Sequence, residues 1–104
     1  MQIDIVIDGE KKTFVTDIVP MRAKMRFLNV RKQEEALLEQ GLITAEKQIE
    51  FTYELADILA TTIYKEKFTV DQLIDGVTDD YFNNKLAEAI FGEMEEQEGN
   101  ESGK

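Results

Sequence analysis

The N-terminal alternation does most to limit what this chain can fold into. In QIDIVID, Ile3, Ile5 and Ile7 alternate with Gln2, Asp4, Val6 and Asp8, which is the period of a strand with one buried face. KTFVTDIV continues the pattern with Phe14, Thr16 and Ile18 as its inward set. Between the two runs, Asp8 and Gly9 supply a turn in which glycine accepts a positive φ. Residues 2–19 therefore read as a β-hairpin. Two strands alone are marginal in water, and the rest of the chain is helical in pattern, so the isoleucine face must rest on helices. The expected fold is α+β: an N-terminal two-stranded β-hairpin packed on a mostly α-helical bundle of about four helices.

Pro20 ends the extended stretch and suits the first turn of a helix, where its missing N–H costs nothing. The first helix is expected over about 21–39, with Gly41 as its stop. At about 100° per residue, Met21, Met25 and Leu28 share one face, while Phe27, Val30, Leu37 and Leu38 fall nearly opposite. Such a helix is either sandwiched between the hairpin and another helix or offers its methionine face to a partner. Thr44 is placed to cap a second helix over 44–64, with Glu46 near the positive end of the dipole. Glu46, Glu50, Glu54, Asp57 and Thr61 form one narrow polar stripe on it. Ile49, Phe51, Tyr53, Leu55, Ala56, Ile58, Leu59, Ala60 and Ile63 occupy the remainder, which predicts a central helix.

The stretch KFTVDQLIDGVTDD gathers Asp71, Asp75, Asp79 and Asp80. Thr69 and Gln72 fit a capping box, with Phe68 positioned to staple onto Leu73, so a short helix over 70–76 begins here. Gly76 ends it, and Thr78 or Asp79 caps a last helix over 79–94 whose Phe82, Leu86, Ala89 and Ile90 share a face. Asp71, Asp79 and Asp80 then complement helix dipoles. They lack the ligand spacing of a calcium loop, and cap positions give a carboxylate neither the pocket nor the shifted pKa that acid–base chemistry requires. No metal and no cofactor is expected. The core is expected to contain Ile5, Ile7, Phe14, Leu55, Ile58, Leu59, Leu73, Phe82, Leu86 and Ile90.

Composition narrows the function. A chain of 104 residues, 42% hydrophobic, fits one domain over 1–94, and EEQEGNESGK, without an apolar residue, is expected to be a disordered acidic tail over 95–104. There is no cysteine and no histidine, so disulfides, the usual zinc ligands and Ser-His or Cys-His nucleophile pairs are excluded. No catalytic residue is expected. No apolar run is long enough to cross a membrane. The formal charge of −10 is unevenly spread: residues 1–33 carry seven Lys/Arg against four acids, and residues 34–104 five against eighteen. Most of such a surface repels nucleic acid. The basic cluster lies on the first helix, where Met21, Met25 and Leu28 with Arg22, Lys24 and Arg26 are the candidate partner-binding residues, for an acidic partner or the acidic half of another copy.

The succession IDIVIDGEKKTFV, helices, FTVDQLIDGV, a last amphipathic helix and a hydrophilic end resembles the tail assembly chaperones of long-tailed phages and prophages of Gram-positive bacteria. The likeness spans about Ile3 to Gly92, and its most distinctive part is Phe68, Thr69, Asp71, Leu73, Asp75 and Gly76. It implies a non-enzymatic assembly factor of the host cytoplasm, absent from the finished virion. Such a factor binds and solubilises the tape-measure protein and helps recruit tail-tube protein. It also implies, for many members, a longer form made by ribosomal frameshifting. A different class of function open to the same composition is a small acidic regulatory adaptor or nucleic-acid mimic.

Overall fold

The computed structural model describes the backbone of residues 1–102 and the side chains of residues 1–92. The acidic tail expected over 95–104 lies outside the residues described in full. Strands β1 (Gln2–Ile7) and β2 (Glu10–Val15) form an antiparallel hairpin in the register Ile3–Phe14, Ile5–Lys12, Ile7–Glu10. Its two-residue turn puts Asp8 at φ 55° and Gly9 at φ 79°, the type I′ geometry whose twist matches that of the strands. Ile3 and Ile5 are fully buried, as the alternation requires. Thr16 is buried too, and its hydroxyl donates to the Ile63 carbonyl at 3.2 Å. Ile18 is not part of the inward set: β2 ends at Val15, alternation ends with it, and the Ile18 side chain is exposed.

Four helices follow: α1 (Met21–Glu39), α2 (Ala45–Asp57), α3 (Val70–Gly76) and α4 (Asp79–Ser102), the last with a non-helical break at Gly92. The end of α1 is a Schellman motif. Gly41, at φ 70°, donates its N–H to Leu38 at 3.0 Å, and Leu42 donates to Leu37 at 2.9 Å. Thr44 caps α2 by accepting from the Lys47 N–H, and the Thr69–Gln72 capping box opens α3 with both of its hydrogen bonds formed. Thr78 caps α4 by accepting from the Tyr81 N–H at 3.2 Å.

The second helix departs from expectation. It does not run unbroken over 44–64 but changes at Ile58 into a π-helical turn, Ile58–Ile63. In this turn and just after it, Ile58, Leu59, Ala60, Ile63 and Tyr64 are all buried. In an α-helix these five would spread over about 240° of the circumference; the wider turn gathers them toward one core. Central placement holds for this half alone, because Ile49 and Tyr53 on α2 are exposed.

Of the expected core, Ile5, Ile58, Leu59, Leu73, Phe82, Leu86 and Ile90 are buried, while Ile7, Phe14 and Leu55 pack at its margin. Tyr64 lies at the centre with the Phe68 ring tilted against it at 5.2 Å between centroids, and its hydroxyl has no hydrogen-bond partner among the described residues. Burial, with lesser contributions from Glu88 and Tyr81, pushes that hydroxyl's pKa far above its ordinary value. The hairpin rests chiefly on α3 rather than on α1, so α1 is not sandwiched. One face of α1 meets the π turn, α2 and α4, and the opposite face is open.

Candidate functional site

The open face of α1 follows from its sequence. Ala23 and Val30 are buried and Phe27 half-buried, at the i, i+4, i+7 spacing of a helix anchored along one stripe. Met21, Met25 and Leu28 then project the other way and are 77%, 54% and 50% exposed. Arg22 and Lys24 flank them on either side, and Lys32 continues the stripe by one turn; all three cations are exposed. No carboxylate of the described residues lies within ion-pair distance of them.

Arg26 does not join this group. Its guanidinium reaches to α2, pairing with Asp57 at 3.1 Å and donating to the Thr62 hydroxyl at 3.0 Å. It thus ties α1 to α2 and the π turn. Arg31 is also occupied: it lies 5.8 Å from the Phe27 ring centroid and 3.9 Å from Glu34. Phe27 in turn meets Phe91 edge-on at 5.8 Å, which holds the start of the C-terminal segment against α1.

A second exposed surface lies a quarter-turn around α1, where Arg26 and Gln33 face Ile49, Glu50, Phe51, Tyr53, Glu54 and Asp57 across a groove between α1 and α2. Ile49 and Tyr53 are about half exposed, while Phe51 is buried. Glu50 pairs with Lys47 at 3.3 Å, whereas Glu46 and Glu54 have no cation in ion-pair range among the described residues. Sequence reasoning counted Ile49 and Tyr53 with the apolar remainder of a helix expected to be central. The signal that could have placed them outside is their proximity to the acidic stripe: on the helical wheel they fall within about 60° of Glu46.

The four aspartates singled out by the sequence are all exposed. Asp71 lies in the first turn of α3, and Asp79 and Asp80 in the first turn of α4, each near the positive end of a helix. The molecule therefore presents two contrasting exposed surfaces, one apolar and basic, the other apolar and acidic. No helix among the described residues is long and apolar enough to cross a membrane.

No curated protein and no solved structure matches the chain. A family model described as phage tail chaperone protein matches residues 1–104. With the match running the full length of the hairpin-and-helices fold, the chain belongs to the phage tail chaperone protein family.

Proposed function

We propose that this tail chaperone holds the tape-measure protein, a long helical client, on the outer face of α1, keeps it soluble in the host cytoplasm and helps gather tail-tube subunits around it, and that it is left out of the finished virion. The observation that carries the reading is the exposure of Met21, Met25 and Leu28 in a row, with Arg22 and Lys24 beside them. Methionine adapts to irregular apolar partners, and the flanking cations orient a client whose helix carries acids beside its apolar stripe. Arg26 contributes indirectly by fixing α1 against α2 through Asp57. The role is non-enzymatic in this reading: Asp71, Asp79 and Asp80 lie in the first turns of helices, and both exposed surfaces are suited to contact rather than to chemistry.

Met25→Glu tests this directly. Because Met25 is exposed, the change should alter stability by no more than about 0.5 kcal/mol. It should nevertheless abolish co-purification with the tape-measure protein and leave that client insoluble on co-expression. A folded Met25→Glu that still holds its client refutes the assignment of the surface, and an unfolded one refutes its exposure.

A further inference from the structure

We propose that the acidic segment beyond Gly92 docks on the open face of α1 within its own molecule and guards that face until a client displaces it. The body of the protein ends against α1: the Phe91 ring meets Phe27 edge-on at 5.8 Å, and the next residue, Gly92, breaks the helix at φ 61° and ψ −152°, a backbone conformation that suits glycine. The chain therefore changes direction at the flank of α1. Residues 93–104 carry Glu93, Glu95, Glu96, Glu98 and Glu101 against Lys104, with Met94 as their one apolar residue. The open face carries the complement: Arg22, Lys24 and Lys32 are exposed with no carboxylate of the described residues in ion-pair range, and Met25 and Leu28 stand among them.

Helix geometry sets the direction and the reach. On one side of Phe27 lie the buried Ala23 and Val30, so the way out is on the other side, where Lys24 and Leu28 fall about 60° and about 100° around the helix. Along the axis, Lys24 is about 4.5 Å and Lys32 about 7.5 Å from Phe27. Six extended residues span about 20 Å, so the stretch from Glu93 to Glu98 is long enough to reach both cations. The wall of α2 repels the same segment, because Glu46, Glu50, Glu54 and Asp57 line it. Exposed ion pairs are individually weak, but a short tether holds its partner at an effective concentration on the order of millimolar, so the contact closes within one chain and still opens readily. That it governs access of the client rests on the function proposed above; the contact itself does not.

The test uses the full chain, whose lack of cysteine lets Ser102→Cys carry a single nitroxide label. In isotope-labelled protein at about 0.1 M salt, the amide signals of Lys24, Met25, Leu28 and Lys32 should lose more intensity to the label than those of the hairpin turn or of Glu46–Glu50. The loss should be relieved at about 1 M salt, where charges more than about 3 Å apart are screened. Replacing the five glutamates by glutamine should relieve it as well. No loss, loss concentrated on another surface, or loss on α1 that survives both treatments overturns the proposal. So does equal loss when the nitroxide is carried only by chains without the isotope, since the segment would then be reaching a second copy. With tape-measure protein limiting, the glutamine variant should co-purify with more client than wild type does. Equal capture while Met25→Glu still abolishes binding overturns the guarding role and leaves the client site standing; equal capture by all three overturns the client site and leaves the contact to be judged by the label.

Discussion

Gly76 shows how much a single position can be asked to do. In the sequence it reads as a helix stop, but its backbone is not among those with positive φ. Its necessity is steric: a β-carbon built there would lie 2.5 Å from Ile5 Cγ2 and from the Val6 carbonyl oxygen, and 3.0 Å from the Val6 nitrogen. Two of those three neighbours are backbone, so they yield only if β1 as a whole moves off α3. Gly76→Ala is therefore expected to destabilise by about 1–3 kcal/mol, despite alanine's better helix propensity, because overpacking against a backbone outweighs a propensity gain of about 1 kcal/mol. Thermal melting checks it. A melting temperature at or above that of wild type would mean that β1 and α3 approach less closely than this.

At the scale of elements, α3 is the most exacting case, because seven residues are too few for a helix to persist on propensity. It is held by the capping box, in which the Thr69 hydroxyl accepts from Gln72 N–H at 3.0 Å and the Gln72 side chain accepts from Thr69 N–H at 2.9 Å, and by burial of Leu73. Thr69→Ala should cost about 1 kcal/mol, and added calcium should leave the melting temperature of both proteins unchanged. A rise of several degrees with calcium would show that Asp71, Asp75, Asp79 and Asp80 act as ligands and not as helix-end charges. Caps of this kind were legible in the sequence because their partners are three residues apart, and so were the hairpin turn and the Gly41 stop. What was not legible depends on distant partners. The π turn at Ile58–Ile63 arises because a core drawn from the hairpin, α3 and α4 asks for five apolar side chains from one short segment. Arg26 looked like a member of the basic surface because its partner, Asp57, is remote in sequence. Helical spacing found both apolar faces of α1 but could not say which would be covered; that was decided by the hairpin resting on α3 instead.

Across the whole molecule, the hairpin and the last helix are locked together at the sheet edge. The ammonium of Met1 donates to the Thr16 carbonyl, and the Thr16 N–H donates back to Met1, which sets the alternation so that Ile3–Phe14 and Ile5–Lys12 exchange hydrogen bonds while Asp4 points its N–H outward. That outward N–H donates to the Tyr81 hydroxyl of α4 at 2.9 Å, and Gly76 closes over Val6 beside it. One edge of β1 is therefore sealed by residues some seventy positions away, and the isoleucine face is covered by the π turn and α3. A two-stranded sheet with no stability of its own must then open only when the core opens. Native-state hydrogen exchange should accordingly give the amides of Ile3, Ile5 and Phe14 the same opening free energy, with the same steep denaturant dependence, as those in the turn at Leu59–Ile63. The first half of α2 differs: Ile49 and Tyr53 are exposed, and before Leu55 its one buried side chain is the Phe51 ring. Its amides should exchange by local opening at distinctly lower free energy, leaving the groove between α1 and α2 adjustable while the open face of α1 stays fixed. Hairpin amides that exchange locally, or an α2 start as protected as the core, would contradict this division of the molecule into a single cooperative body and one yielding wall.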